Sequence, residues 1–251
     1  MSAWDELPSL DAAARRALPS EDASIDALDR PSRELLAGAW AERARSELGA
    51  GAVFAAISQG LFAAGAPAEI QWLAARAVCD EMRHAEICRF MAVRYGGADV
   101  ARPRAPAIGD PPRSALVYAV LNGSINETIA SAVLTACHEE AESPLARAAT
   151  RELLCDEVDH ARVGWALLGE GPLAAGLRCE VASALPALVR LVRDRWLARA
   201  AELPEDLPRG HGCLPRADVA QLVDHALRVL VLPGFAHVGI DPGPALDLLQ
   251  R

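Results

Sequence analysis

A seven-residue motif that occurs twice carries the side chains best suited to chemistry in this sequence. Residues 79–85 read Cys-Asp-Glu-Met-Arg-His-Ala, and residues 155–161 read Cys-Asp-Glu-Val-Asp-His-Ala. The Glu and the His of each copy are three positions apart, so in a helix both side chains lie on the same face. A carboxylate and an imidazole placed in this way can bind the same metal ion. The motif therefore predicts four metal ligands: Glu81, His84, Glu157 and His160.

Two further ligands follow from the symmetry of helical hairpins. Turns are predicted near Gly65 and Ser143, and across an antiparallel hairpin a residue before the turn faces one at a similar distance after it. Glu47 lies 18 residues before Gly65, and Glu127 lies 16 residues before Ser143. Glu127 is also the only acidic residue between positions 112 and 136, where an unpaired carboxylate would be costly to bury. A metal ion would remove that cost, so each half of the chain is expected to contribute one Glu and one Glu-x-x-His.

The aspartates that precede the motif glutamates have an expected role beside the metal. A histidine that binds a metal through one ring nitrogen usually donates its other N–H to a carboxylate or a carbonyl. We expect each aspartate to accept from the histidine of the opposite repeat. The predicted pairs are Asp80 with His160, and Asp156 with His84.

Small side chains flank the ligands of the first and third predicted helices. Gly51, Gly123 and Ser131 lie about one turn from a ligand, and Phe54 lies one turn further along the first helix. One interpretation is a pocket that leaves space for O₂ and a substrate. The other is close helix packing, because glycine within a helix often allows two backbones to approach.

The elements that must position these residues are predicted to be helices. Ala, Leu, Arg and Glu dominate the composition, 52% of the residues are hydrophobic, and no segment shows the period-two alternation of a strand. Proline and glycine mark the breaks between periodic segments. The predicted helices cover about residues 31–64, 67–95, 112–141, from the Ser143-Pro144 turn to 168, 173–202 and 217–232.

This order predicts an all-α fold: a four-helix bundle with one long crossover, plus two additional C-terminal helices. The crossover is the proline-rich segment 97–113, which joins the two hairpins. Residues 1–30 are predicted to be an N-terminal arm with little pattern. The bundle is expected to span residues 31–171, with residues 172–251 packing on it in the same domain.

Charge and cysteine usage limit the partners and the compartment. The formal net charge is −9, so the basic surface that nucleic-acid binding requires is not expected. The six cysteines form no CxxC pair, and the start of the sequence lacks the apolar core of a signal peptide. Segment 49–66 is apolar but too short to span a membrane. These features predict a cytoplasmic protein with reduced cysteines, no nucleic acid and no membrane anchor.

The doubled pattern of a Glu followed by Asp-Glu-x-x-His resembles the ferritin-like di-iron carboxylate proteins, over roughly residues 35–168. It is most similar to the oxygen-activating members, such as the aminobenzoate N-oxygenases and related monooxygenases. It differs from those N-oxygenases at Leu153, where they carry an additional histidine ligand. The resemblance implies a ferritin-like bundle that binds two iron ions, or a manganese and an iron ion. It also implies O₂ as co-substrate, a small organic substrate and an external electron donor.

Two function classes follow from this pattern. The first is an O₂-activating oxidase or monooxygenase. The second is a ferroxidase or another metal-handling protein without an organic substrate, and a degenerate bundle without metal is a third reading that the intact ligand set disfavours. A substrate cavity beside the metals would distinguish the first two, and the helices after residue 172 favour the enzyme because they could form its walls. The surfaces of the fifth and sixth helices are candidates for a homodimer contact.

Overall fold

The computed structural model describes residues 16–96, 114–169, 171 and 173–250, and in these residues every regular element is a helix. The predicted all-α class is confirmed. The predicted crossover, residues 97–113, and the first half of the predicted arm, residues 1–15, lie outside the described residues.

Eight helices, numbered here in chain order, make up the described part of the chain. Two of them, α4 and α7, contain a π-helical segment between α-helical segments, and α8 is followed by a 3₁₀ turn. The bounds are α1 Ala23–Asp26, α2 Arg30–Ala63, α3 Ala68–Gly96, α4 Ala115–Ala119, Val120–Glu127 (π) and Thr128–Glu139, α5 Pro144–Leu168, α6 Ala174–Ala201, α7 Arg216–Ala226, Leu227–Val231 (π) and Leu232–His237, and α8 Gly243–Leu246 with the turn Asp247–Gln250.

Polar caps explain where the long helices begin. The side chains of Asp29, Ser114 and Ser143 accept hydrogen bonds from backbone N–H groups in the first turns of α2, α4 and α5. Pro31 and Pro144 lie in the first turns after two of these caps, where a missing N–H costs no helical hydrogen bond. The predicted starts of the first and fourth helices therefore agree with the structure to within about one residue.

The described part of the predicted arm contains α1, which the sequence pattern did not predict. One carboxylate oxygen of Asp22 caps α1 by accepting from the N–H of Ser24 at 3.0 Å. The other oxygen accepts from the Ser143 hydroxyl at 2.7 Å and from the Leu145 N–H at 2.9 Å. Burial raises the pKa of Asp22, but these hydrogen bonds outweigh it and lower the pKa to about 2. The ionised carboxylate thus fixes this segment to the start of α5.

Helix α7 is longer than predicted. The sequence analysis ended it at Leu232 because Pro233 and Gly234 usually stop a helix, but the structure continues to His237. A π-helical segment, Leu227–Val231, ends two residues before Pro233. The proline then lies in the first turn of the last α-helical segment, where it is tolerated because its N–H is not needed.

The C-terminal helices α6 and α7 pack on α4 and α5. Val181 and Leu185 of α6, and Val223 and Phe235 of α7, belong to the same buried apolar cluster as residues of the first four long helices. In the described part of the chain, α7 is the one helix long and apolar enough to cross a membrane by composition. A helix in the core of a soluble protein has the same composition, so this is weak evidence for a span. The cytoplasmic location stays a prediction.

Along the four helices α2, α3, α4 and α5, a layer of polar residues separates two buried apolar clusters. On α2, Trp40 belongs to one cluster and Phe54 to the other. On α5, Leu153 and Val163 are divided in the same way. The predicted ligands lie between these levels, so the two apolar clusters close the layer above and below.

Helices α4 and α5 approach each other closely through two glycines. A Cβ added to Gly123 would lie 2.6 Å from the backbone nitrogen of Gly164, and one added to Gly164 would lie 2.5 Å from the backbone nitrogen of Ser124. No pair of larger residues allows this approach, because side-chain carbons do not come so near to backbone atoms. The two glycines therefore set the distance between two ligand-bearing helices.

This contact predicts that Gly164→Ala lowers the free energy of unfolding by about 1–3 kcal/mol, because the new methyl group forces the helices apart. Urea unfolding followed by circular dichroism measures the effect. Gly38→Ala is the matched control: Gly38 is exposed within α2, and an added Cβ would meet no atom within 4 Å. For Gly38→Ala we expect the free energy of unfolding to rise by up to about 1 kcal/mol, because alanine has a higher helix propensity than glycine. A Gly164→Ala protein as stable as the control would contradict the close approach.

Candidate metal centre

The six predicted ligands lie together and form two overlapping groups. In each group the ligand atoms all lie within 4.8 Å of one another, and Glu81 and Glu157 belong to both groups. Five of the six residues are buried, and Glu47 is half-buried. The groups are Glu47, Glu81, His84 and Glu157, and Glu81, Glu127, Glu157 and His160. This arrangement matches two ion positions that share two carboxylates.

Each of the helices α2, α3, α4 and α5 contributes to the site. Glu47 comes from α2, the two motif copies come from α3 and α5, and Glu127 is the last residue of the π-helical segment of α4. A π turn inserts one extra residue into a helix and rotates the side chains that follow it, and such turns are frequent at functional sites. The sequence pattern predicts Glu127 as a ligand but not the π segment.

Both histidines direct the Nδ1 atom at the two shared glutamates. His84 Nδ1 lies 3.6 Å from Glu81 Oε2 and 3.5 Å from Glu157 Oε1. His160 Nδ1 lies 3.1 Å from Glu81 Oε1 and 3.5 Å from Glu157 Oε2. The rings are tilted, with centroids 5.8 Å apart. The geometry around the two glutamates is therefore nearly symmetric, as the sequence repeat predicts.

Several of these atoms are buried without a hydrogen-bond partner. Within the described residues this holds for both Oε atoms of Glu81, Oε2 of Glu157, and Nδ1 of His84 and of His160. Buried polar atoms normally have partners, and a group of five pointing at one volume requires an explanation. Divalent ions between them would satisfy all five, and carboxylate oxygens with imidazole nitrogens suit iron or manganese. The residues present thus fit the pair of ions that the sequence implies.

The pKa values of the two outer glutamates are raised when no metal is bound. Burial raises the pKa of Glu47 well above its usual value, and the negative charges of Glu81 and Glu157 raise it further. Burial, Glu157 and Glu81 act on Glu127 in the same way. Bringing carboxylates together in a buried layer has a high electrostatic cost, which cations can offset.

The histidines supply positive charge in the metal-free protein. Burial raises the pKa of Glu81, but the adjacent imidazoles of His160 and His84 outweigh it and lower the pKa to about 2. Burial lowers the pKa of His84, but Asp156 and Glu81 raise it to about 10. The pKa of His160 is raised as well, because Asp80 and the shared glutamates outweigh its burial. A metal ion must displace these protons, so metal binding is expected to release protons.

The Nε2 atoms of the histidines face the aspartates of the opposite repeats. His84 Nε2 lies 3.2 Å from Asp156 Oδ2, and His160 Nε2 lies 3.7 Å from Asp80 Oδ2, which is a contact longer than a hydrogen bond. This is the crossed pairing expected from the sequence. With Nε2 directed at a carboxylate, the proton of a neutral imidazole is held there and Nδ1 remains free for a metal.

Two arginines that the sequence analysis missed hold these aspartates. Arg76 Nε donates to Asp80 at 3.1 Å, and its Nη2 donates to Asp159 at 2.6 Å. Arg83 Nη2 donates to Asp156. A signal was present, because Arg83 and Asp159 occupy the same position in the two motif copies with opposite charges. The two copies thus form an ion-pair network outside the histidines.

A cavity of about 140 Å³ opens beside the site, between α2, α4, α6 and the start of α7. The glutamates Glu47, Glu127 and Glu157 form part of its wall. Alanine, valine and leucine side chains form most of the remainder, and they include Ala50 and Ala130, each three positions after a ligand. The space lies directly against the predicted metal positions.

The predicted pocket residues Gly51, Phe54, Gly123 and Ser131 are not among the residues in the wall of this cavity. A Cβ on Gly51 would lie 3.3 Å from the Cβ of Glu81, so this glycine packs α2 against α3. Phe54 is fully buried, with its ring centroid 5.3 Å from that of the His160 ring. Gly123 packs on α5, as described above. The packing interpretation applies to both glycines, because these residues lie on a different side of their helices from the cavity.

The chain matches no protein-family model, and it has no significant similarity to a curated protein or to a solved structure.

Proposed function

We propose that this protein is a ferritin-like di-iron carboxylate enzyme that activates O₂ and oxidises a small organic substrate, as an oxidase or a monooxygenase. The observation that carries the proposal is the pair of ligand groups that share Glu81 and Glu157. Two antiparallel hairpins, α2–α3 and α4–α5, each contribute one glutamate and one Glu-x-x-His, which is the ligand arrangement of ferritin-like di-metal proteins.

The ligands divide into two sets, one for each proposed ion position. Glu47 and His84 would hold one ion, Glu127 and His160 the other, and the two shared glutamates would bridge them. The four carboxylates balance the charge of two divalent ions when both imidazoles are neutral. Bound iron, or a manganese–iron pair, would supply the electrons that reduce O₂, and an external electron donor would restore the reduced state.

The protein's own groups prepare the site for this chemistry. Asp156, at 3.2 Å from His84 Nε2, keeps the proton of that histidine on Nε2, so that Nδ1 is the atom offered to metal. Asp80 lies 3.7 Å from His160 Nε2 and favours the same orientation of that ring through its charge. The apolar clusters on both sides of the polar layer exclude water, which strengthens the electrostatic interactions within the layer.

The cavity supports a substrate of limited size. Its volume of about 140 Å³ is close to the ~150 Å³ of a protein cavity that holds benzene. Its wall is mainly apolar, but it includes the Arg43 guanidinium, which donates to the Gly212 carbonyl at 2.9 Å and stacks on the Trp40 ring at 4.7 Å. A small apolar molecule with one polar or anionic group would fit these surroundings. A protein that only oxidises iron needs an ion path and has no use for such a chamber, so the cavity favours the enzyme over a ferroxidase.

Iron stoichiometry distinguishes the two classes. We expect the protein, given a 20-fold excess of Fe(II) and then O₂, to oxidise about two iron ions per chain rapidly and to keep them bound. Stopped-flow absorbance and iron analysis after gel filtration measure both quantities. Glu81→Gln, which removes a shared carboxylate, is the control and should abolish the rapid phase. Continued rapid oxidation of the excess iron, with release of ferric products, would establish the ferroxidase alternative.

The crossed aspartates predict an effect on metal affinity. Asp156→Asn should weaken Co(II) binding by about 10–100-fold, because the neutral amide orients the imidazole of His84 less firmly. Competition with a chromophoric chelator measures the affinity. Asp159→Asn is the matched control, since Asp159 contacts Arg76 and Arg162 and no histidine ring. If Asp156→Asn and Asp159→Asn weakened Co(II) binding equally, the ion-pair network would affect metal affinity only through the general stability of the fold.

A further inference from the structure

The surroundings of the two outer glutamates break the symmetry of the sequence repeat. Glu47 and Glu127 occupy equivalent places in the two halves, but the residue before each differs: Ser46 in the first half and Asn126 in the second. Both of these residues lie in the cavity wall and contact α6, a helix that belongs to neither repeat.

In the second half, a chain of hydrogen bonds runs from α6 to the ligand. Trp196 Nε1 donates to Asn126 Oδ1 at 3.0 Å, and Asn126 Nδ2 donates to Glu127 Oε1 at 3.0 Å. An indole N–H is only a donor, so it fixes which end of the Asn126 amide faces Glu127. The amide group therefore holds one carboxylate oxygen of Glu127, Oε1, and leaves the other free of this bond.

In the first half, α6 makes a different contact. Arg199, one turn after Trp196, donates to the hydroxyl of Ser46. The groups that act most strongly on Glu47 are Glu81, Glu157 and His84, which are themselves proposed ligands. Glu47 is also half-buried, whereas Glu127 is 4% exposed. The carboxyl group of Glu47 interacts with that of Glu81, which is itself a proposed ligand, but within the described residues no hydrogen bond from outside the ligand set holds Glu47 as Asn126 holds Glu127.

We propose that Trp196 and Asn126 are a positioning pair that makes the Glu127–His160 position the tighter of the two metal positions. A carboxylate already held in its binding conformation loses less freedom when the ion binds, and partners of ligands typically change metal affinity by 10–100-fold. The Glu47–His84 position, with its less restrained ligand beside the cavity, is the weaker one. This inference rests on the proposed two-metal site and assigns different properties to its halves.

A Co(II) titration of the metal-free protein, followed by visible absorbance, tests the inference. The wild type should bind two ions in steps at least about 10-fold apart in affinity. Glu47→Gln should remove the weaker step, and Glu127→Gln should remove the tighter one. Trp196→Phe keeps the ring but removes the N–H donor, so it should weaken the tighter step by about 10-fold or more and leave the weaker step unchanged.

Trp165→Phe is the matched control. The Trp165 indole donates at 3.2 Å to the hydroxyl of Thr128, the residue on the other side of Glu127, but Thr128 is no part of the hydrogen-bond chain to the carboxylate. This variant should keep both steps. Asn126→Ser, which copies the first half into the second, should bring the two affinities together even if Trp196→Phe fails to fold.

The outcomes separate this inference from the proposed function. Two wild-type steps of equal affinity, or a Trp196→Phe protein with both steps unchanged, would overturn the positioning pair while leaving the two-metal site intact. A weakening of the tighter step by Trp165→Phe equal to that by Trp196→Phe would also overturn it. Wild-type protein that binds no Co(II) would remove the basis of the proposed function and this inference together.

Discussion

Four carboxylates and two imidazoles share one buried layer, and the electrostatic cost of that layer constrains the rest of the structure. Without cations the carboxylates repel one another, and the layer persists through protons on the histidines and raised pKa values at Glu47 and Glu127. Two divalent ions would replace those protons with stronger and more localised charge. The two carboxylate oxygens of Glu81 and the Nδ1 atoms of His84 and His160 are buried without hydrogen-bond partners. These atoms mark where such ions would bind.

The surrounding fold keeps this layer in place. Apolar clusters on both sides fix the level of each long helix, and the contact of Gly123 with Gly164 sets the spacing of α4 and α5. The arginines outside the histidines compensate the charge of Asp80 and Asp156. Helix α6 then adds what the repeat does not contain: a wall for the cavity and the indole that reaches Asn126. The nearly symmetric layer of carboxylates and imidazoles thus lies in an asymmetric shell, with the cavity on one side of it.

The six residues predicted as ligands lie together in the structure, and the sequence could identify them because its information is local and doubled. Helical spacing placed each Glu-x-x-His on one face, and hairpin symmetry located Glu47 and Glu127. The cavity does not lie along the predicted pocket residues, and sequence spacing could not locate it because spacing does not give the rotation of one helix about its axis relative to its neighbours. The π segment that ends at Glu127 has no composition of its own and depends on packing. The contact of Trp196 with Asn126 joins residues 70 positions apart, and neither hairpin contains both.

The central claim is that the shared glutamates hold two metal ions. Anomalous diffraction at the iron edge, from crystals of protein loaded anaerobically with Fe(II), tests it most directly. The account predicts two peaks per chain, roughly 3.5–4 Å apart, each within coordination distance of both Glu81 and Glu157. Crystals that contain iron but show no peak between these residues, or that show a single peak elsewhere on the chain, would contradict it.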